Sequence, residues 1–191
     1  MFAACTPSAR AAVVRSGRLA AEAGRGVLGT DFLLLGLVED HDFDPPLERL
    51  GITAAAVRAE IDRRHDRARP GDRELLATLG IDLDEVRRRA GLATSTSPDD
   101  PRLWQLRRSR VRPLRVELAG PAGHLRLDGR GRKAIEVAMH YARRRRAPVG
   151  GEDLLVGLLA DGSNESVGVL CRLRVDLGQL WSSLRPWHLA A

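Results

Sequence analysis

One internal repeat constrains the fold of this chain more than any other feature. Residues 28–37 read LGTDFLLLGL, and residues 149–158 read VGGEDLLVGL. Each copy has a glycine, then an acidic residue, then an aliphatic run that closes on Gly-Leu. A helix that is apolar on every side must be covered by other parts of the chain. The duplication therefore predicts two related helical units that pack against each other.

Helix-end signals flank both copies of the motif. Thr6 followed by Pro7 is a typical helix start, because the hydroxyl caps the first turn and proline at the first position loses no hydrogen bond. Gly24 predicts the end of that helix. In the second half, Asp128 occupies the capping place that Thr6 has in the first. The signals predict four short helices in each half.

The segment between the two halves has a different character. It begins with two predicted helices, and a Ser/Thr/Pro/Asp-rich linker follows at 94–100. A helical turn is expected next, from Asp100 through the basic residues after Trp104. Residues 114–118 and 124–127 alternate apolar and charged side chains around a Gly-Pro turn, which predicts a short β-hairpin. We expect a first unit at 1–67, an insertion at 68–127 and a second unit at 128–187.

The composition limits the type of core and the cellular location that we expect for this chain. Hydrophobic residues make up 43% of it and aromatic residues 4%, so the core must be aliphatic. No apolar run approaches the roughly 18 residues of a membrane span. The start of the chain has no long apolar stretch of the kind found in a signal peptide. We therefore expect a cytoplasmic protein that does not associate with a membrane.

The charge leaves two interpretations open. The formal net charge is +6, and Lys133 is the only lysine, so the basic residues are almost all arginine. A basic surface of this kind is compatible with an anionic partner. A general coding bias toward arginine, alanine and glycine explains the same composition without any functional role.

Motifs for catalysis are absent from the sequence. The nearest stretch to a Gly-x-Ser-x-Gly nucleophile turn, 164–168, lacks the first glycine. The five histidines show no His-x-x-x-His spacing for a metal. Cys5 is expected to be a small buried thiol rather than a nucleophile. We therefore predict no catalytic residues, no metal site, no cofactor and no enzymatic activity.

The repeat resembles a known family over a long, discontinuous pattern. The pattern comprises Thr6-Pro7-x-Ala9-Arg10, the motif at 28–37, Leu47-x-x-Leu50-Gly51-Ile52 and Val57-Arg58. It resembles the Clp amino-terminal repeat, which occurs in pairs at the front of ClpA- and ClpC-type unfoldase ATPases. The resemblance implies an all-α fold of two pseudo-twofold-related four-helix repeats forming one compact domain, enlarged here by the inserted segment.

The ATPase part of those relatives has no counterpart in this sequence. A phosphate-binding loop needs Gly-x-x-x-x-Gly-Lys followed by Ser or Thr. Here Lys133 is followed by Ala134, and the preceding glycines have the wrong spacing. We therefore expect a freestanding Clp amino-terminal-like domain without ATPase modules.

The resemblance also implies a ligand site. In ClpC-type relatives the domain receives adaptors and substrates, including proteins that carry phosphoarginine, and an acidic residue in each repeat contacts the guanidinium. The matching positions are Asp31 and Glu152, with Thr6 and Thr30 as expected hydroxyl donors. Carboxylates accept guanidinium hydrogen bonds, and free N–H groups at helix starts attract phosphate. Alternatively, the two acids only complement helix dipoles.

Several departures from the family pattern affect this expectation. Asp31 is one methylene shorter than the usual glutamate. Gly151 and Asp153 replace the usual threonine and histidine. Asp128 replaces a threonine and adds a carboxylate that would repel a phosphate nearby. We expect the second site, around Glu152, to be the more altered of the two.

These observations favour a non-enzymatic binding module of the Clp protease system. Its expected partners are Clp unfoldase or protease components, client proteins or adaptors, and proteins bearing phosphoarginine. One alternative is a helical nucleic-acid-associated protein that uses the arginines at 107–115 and 143–146, with affinity that falls steeply with salt. Another is a structural partner that docks on a Clp hexamer.

Overall fold

The computed structural model describes residues 5–39, 46–68, 105–108, 116–119 and 126–184. The two helices predicted at the start of the insertion and the linker at 94–100 lie outside the described residues. The described part of the chain is mostly helical, which confirms the helical class of the fold.

Four helices make up the described part of the first half. They are α1 (Pro7–Glu22), α2 (Thr30–Val38), α3 (Pro46–Arg49) and α4 (Ala54–Ala68). The predicted start of α1 is confirmed: the Thr6 hydroxyl accepts the Ala9 N–H at 3.1 Å, and Pro7 holds the first helical position. Gly24 follows the helix with φ of 68°, and the Arg25 N–H returns to the Ala20 carbonyl at 2.8 Å. This is a Schellman ending.

The second half repeats this plan. Its helices are α5 (Gly129–Arg144), α6 (Gly151–Leu159), α7 (Glu165–Arg172) and α8 (Leu177–Leu184). The Asp128 carboxylate caps α5 by accepting the Gly131 N–H, as predicted. Where the first half has Gly24, this half has Arg146, with φ of 55° and the same return bond, from the Ala147 N–H to the Ala142 carbonyl.

A small sheet joins the two halves. Its strands are β1 (Val27–Leu28), β2 (Gln105–Arg108), β3 (Val116–Ala119) and β4 (Arg126–Leu127), in the spatial order β1-β4-β3-β2. Strand β4 is antiparallel to β3 and parallel to β1. The predicted hairpin is therefore present as β3 and β4. One prediction was wrong: residues 105–108 form a strand that pairs with β3 rather than a helical turn. The sequence patterns did not predict strand β1.

Parallel backbone pairs place the start of a helix in one half beside the start of a helix in the other half. The β1–β4 pair places the chain that enters α2 beside the chain that enters α5. A bridge between Cys5 and Val149, with the Thr6 N–H donated to the Val149 carbonyl at 2.9 Å, does the same for α1 and α6. Each capping residue therefore lies beside the acidic helix start of the opposite half.

The repeated motif forms the centre of the core. Residues 30–37 of α2 are all buried, and so are Gly151 and 153–158 of α6. Their aliphatic side chains belong to one cluster that draws on both halves, with these side chains among the most deeply buried: Leu28, Leu34, Leu35, Leu37, Leu47, Ile61, Leu155, Leu158, Leu170, Leu180 and Leu184. Because burial of apolar area is the main stabilising term in folding, the two halves depend on one common core.

The glycine that ends each motif copy is a helix-crossing point. A Cβ on Gly36 would lie 2.1 Å from the Ser16 hydroxyl oxygen and 2.6 Å from the Ala12 carbonyl oxygen of α1. A Cβ on Gly157 would lie 2.0 Å from the Ala134 carbonyl oxygen of α5. The Gly-Leu ending of the repeat is thus a packing requirement, because only glycine lets these backbones approach so closely.

Candidate functional site

A charged cleft of about 430 Å³ opens where β1, α2 and α4 of the first half meet α5 and α7 of the second. Three carboxylates, two arginines, one histidine and two apolar side chains line it, together with glycines of the loop before α2. The lining side chains are Asp31, Asp128, Glu165, Arg25, Arg64, His65, Val27 and Phe32. The cleft brings together charges from both halves of the repeat.

Asp31 is the most buried acid of the cleft. It stands in the first turn of α2 and is only 5% exposed. Its Oδ1 accepts the Phe32 N–H at 2.9 Å. Its Oδ2 lies 3.7 Å from Nε2 of His65, beyond hydrogen-bonding distance. Within the described residues, no donor is hydrogen-bonded to that second oxygen.

His65 forms one wall of the cleft. Its ring stacks on Phe32 with centroids 6.0 Å apart and planes 9° apart, and its Nε2 contacts the Arg25 guanidinium. Burial lowers the pKa of His65, Arg25 lowers it further, and Asp31 opposes this only in part. His65 is therefore neutral at pH 7, and it does not neutralise the charge of Asp31.

Asp128 enters the cleft from the second half. Asp31 Oδ1 lies 2.6 Å, and Asp128 Oδ2 3.8 Å, from the position that a Cβ on Gly29 would occupy, so the two carboxylates flank this glycine. Burial raises the pKa of Asp128, and the nearby Glu165 and Asp31 raise it further, against the hydrogen bond from Gly131. Asp128 was expected at the second site, whereas the structure puts it beside Asp31.

Glu165 is an ion-pair hub at the start of α7. Its Oε1 lies 2.6 Å from Arg130 Nη1 and 3.7 Å from Arg64 Nη2. Burial acts to raise the pKa of Glu165, but its own N–H, the Thr30 hydroxyl and these two arginines outweigh burial and lower it. Glu165 is the best compensated of the three carboxylates.

Thr30 is fully buried and holds Glu165 in place. Its hydroxyl donates to Glu165 Oε2 at 3.0 Å and accepts the Ser166 N–H at 3.2 Å. The Asn164 side chain, at the capping position of α7, instead donates to the Leu158 carbonyl at 2.9 Å. Thr30 therefore caps a helix of the opposite half, and it stands behind the cleft rather than in its lining.

Thr6 lies beside the start of α6, the helix that the repeat relates to α2, and Glu152 is in the first turn of α6. Thr6 is hydrogen-bonded to Val149, three residues before Glu152, and Glu152 is partly buried in the first turn of α6. The next residue, Asp153, is buried and bound bidentately by Arg145 at 2.5 and 2.6 Å. Neither Thr6 nor Glu152 lines the cleft. The structure thus separates the four predicted residues into two groups.

Sequence reasoning did not find most of the cleft. Arg25, Arg64, His65 and Glu165 come from three separate segments and carry no local motif. The only available signal was the symmetry of the repeat: the acid of one half faces the capping residue of the other. That rule would have placed Asp128 beside Asp31.

The basic run at the end of α5 contains one arginine that forms an internal salt bridge. Arg145 is bound to Asp153, while Arg143, Arg144 and Arg146 are exposed.

Within the ranges that the structure describes, no cluster of three or more metal-ligating side chains is present. In the same ranges no helix has the length and apolar character to cross a bilayer.

Comparison with known proteins gives the fold. No family profile and no curated protein sequence matches this chain, but 37 chains of solved structures match. One is the N-terminal domain of the caseinolytic protease associated chaperone ClpD from Arabidopsis thaliana, with a TM-score of 0.53, 19% identity, and coverage of 97% of this chain and 98% of that one. The chain has the fold of a Clp amino-terminal domain.

The predicted resemblance to the Clp amino-terminal domain is thereby confirmed at the level of the fold. Since 19% identity carries the Clp fold and no more, the ligand must be argued from the chemistry of the cleft.

Proposed function

We propose that this chain is a non-enzymatic binding module of the Clp protease system that captures client or adaptor proteins. It recognises guanidinium-type side chains, including phosphoarginine-like ones. Asp31 is the principal contact and Glu152 a second, weaker one. Thr30 acts through Glu165, and Thr6 adds a hydroxyl beside Glu152.

The observation that carries this proposal is the cleft around Asp31. A carboxylate that is 5% exposed, with one oxygen lacking a hydrogen-bond donor among the described residues, borders an open cleft. Buried charges are normally paired, so an empty acceptor of this kind favours a cationic ligand group. A guanidinium satisfies it with short, charge-assisted hydrogen bonds.

Three features argue that Asp31 has more than a helix-dipole role. Asp31 faces a cleft that draws side chains from both halves. Its neighbour His65 is neutral and so leaves the charge uncompensated. The apolar Val27 and Phe32 give a ligand side chain a surface for its methylene groups.

The test is binding of a labelled unstructured protein, in unmodified and arginine-phosphorylated forms, followed by fluorescence anisotropy. Asp31→Asn should weaken binding of the preferred form at least about tenfold, since each lost charged hydrogen bond is worth about 1.5–3 kcal/mol. Glu152→Gln should have the smaller effect, and the double variant should bind least.

Glu136→Gln is the matched control, because Glu136 is an exposed acid of α5 that pairs with Arg132 and does not line the cleft. Its affinity should equal that of the wild type. Unchanged affinity in the Asp31/Glu152 double variant would contradict the proposed site. Binding that disappears steeply with salt and is competed by nucleic acid would favour the nucleic-acid alternative instead.

A further inference from the structure

The charges of the cleft are unevenly compensated. Glu165 has two arginine partners, Arg130 and Arg64. Asp31 and Asp128 form no salt bridge with an arginine or lysine anywhere in the described part of the chain. With His65 neutral, the lining carries three carboxylates against the two arginines, Arg25 and Arg64.

The uncompensated pair is contributed by both halves. Asp31 comes from the start of α2, and Asp128 from the capping position of α5, and the two carboxylates flank Gly29. Asp128 Oδ1 is used to cap α5, and Asp31 Oδ1 is used by the Phe32 N–H. The second oxygen of each carboxylate is the one left for a ligand.

An apolar wall stands beside the two acids. Val27 is 48% exposed, although large hydrophobic side chains elsewhere in the described residues are mostly covered. With Phe32 it lines the cleft next to Asp31. Arginine has this same combination of an apolar stem and a planar cationic head with several donors.

We propose that the cleft selects an unphosphorylated arginine side chain over phosphoarginine, and that Asp128 is the residue that sets this preference. The inference rests on the proposed function, because it names the ligand class that the same cleft takes. The guanidinium lies between Asp31 and Asp128, and its stem lies along Val27.

Phosphorylation changes the sign of this interaction. The arginine side chain is a cation, whereas phosphoarginine carries a phosphate anion on a nitrogen of its guanidinium group. Arg25 and Arg64 attract that anion, but Arg64 already lies near Glu165, and the three carboxylates of the lining outnumber the two arginines. The phosphate would therefore lie close to the carboxylate of Asp128 with little neighbouring positive charge. Repulsion between two anions at such short range should weaken binding more than tenfold.

The other half of the molecule supplies the matched variant. Thr6 caps α1 through its hydroxyl in the way that Asp128 caps α5 through its carboxylate. Asp128→Thr therefore keeps a capping side chain and removes the charge. Asp128→Asn, which also caps well, is the second variant, so that a folding defect in one does not decide the result.

The experiment uses three peptides of one sequence, with arginine, phosphoarginine or citrulline at the central position, and measures binding by titration calorimetry. The wild type should bind the arginine peptide at least about tenfold more tightly than the phosphoarginine peptide, and the neutral citrulline peptide, which is neither attracted nor repelled by the carboxylates, should bind with intermediate affinity. In Asp128→Thr and Asp128→Asn the arginine preference should shrink at least about tenfold or reverse. Thermal unfolding of each variant checks that the fold is retained.

The outcomes separate the two proposals. A wild type that prefers phosphoarginine, with binding lost in Asp31→Asn, overturns this inference and leaves the proposed function standing. An unchanged preference in both Asp128 variants also overturns it. If none of the peptides binds the wild type, both the inference and the proposed function fail.

Discussion

The two halves of this molecule share one frame and differ in the chemistry placed on it. At the acidic start of α2, Asp31 borders an open cleft and keeps one oxygen without a donor among the described residues. At the equivalent start of α6, Asp153 follows Glu152 and is bound by Arg145 and by the Gly150 N–H. At one helix start a carboxylate oxygen faces the cleft without a donor among the described residues, whereas at the other the acid after Glu152 is held in an internal ion pair.

The difference shows which features a duplicated fold fixes. Both halves keep the crossing glycine, the capping residue and the Schellman endings, because these hold the backbone together. The acidic helix starts are free to diverge once the core is set. The following predictions test that division.

The largest effect should come from the crossing glycines. In Gly157→Ala the new Cβ would lie 2.0 Å from the Ala134 carbonyl oxygen, which is backbone and cannot rotate away. We expect a loss of about 3 kcal/mol in the free energy of unfolding, measured by urea denaturation. Gly36→Ala should cost less, because its nearest neighbour is the Ser16 hydroxyl.

Removing that hydroxyl should relieve the steric clash at the first crossing. Gly36→Ala combined with Ser16→Ala should recover part of the loss, leaving the contact with the Ala12 carbonyl. If Gly36→Ala and Gly157→Ala both unfold within about 0.5 kcal/mol of the wild type, the crossings are not constrained as described.

Thr30 provides the next largest effect, since it links the two halves. Thr30→Val removes the hydroxyl that accepts the Ser166 N–H and donates to Glu165. We expect a loss of about 2 kcal/mol, because a buried donor loses its partner. Thr30→Ser should retain most of the stability. Equal unfolding free energies for the valine and serine variants would show that the hydroxyl has no capping role.

Much of the fold could be predicted from sequence, and the reason is that its signals are local. Thr6-Pro7 and Gly24 mark helix ends through the capping needs of adjacent backbone groups. The pairing of β1 with β4 was not predicted, because each strand has two residues and the pair joins segments about a hundred positions apart. No local pattern encodes such a pair.

The candidate site was only partly predictable for the same reason. Asp31 was identified from its place in the repeat, but His65 and Glu165 reach the cleft through tertiary packing alone. Thr30 was expected to contact a ligand, yet its hydroxyl is occupied at both its donor and acceptor sides by the opposite half. Thr30 caps α7, a helix of the opposite half. The residues next to Thr30 in sequence do not reveal where that helix begins.

A smaller effect should come from the helix endings that differ between the halves. Arg146 and Arg174 have positive φ at positions where the first half has Gly24 and Gly51. Arg146→Gly and Arg174→Gly should each stabilise the protein by about 0.5–1 kcal/mol, because glycine adopts this conformation without a steric penalty. Thermal unfolding would measure it. A lower melting temperature in both variants would contradict the assignment.

The smallest effect concerns pH. Since burial lowers the pKa of His65, the unfolded chain takes up a proton first as pH falls below about 6.5, and the folded state loses stability. In His65→Gln the unfolding free energy should fall less between about pH 7 and pH 5. The raised pKa of Asp128 acts in the opposite direction at lower pH, because there the folded state holds the proton more tightly. Identical pH slopes in the two proteins would contradict the buried, neutral His65.

The central claim is that the acid of the first half, with its partner from the second, forms the ligand site. An NMR titration of backbone amides with the arginine peptide tests it most directly. We expect the largest shifts at Gly29, Asp31, His65 and Asp128, and small shifts at residues 150–152. Shifts concentrated at residues 150–152, or none at any of these positions, would contradict it.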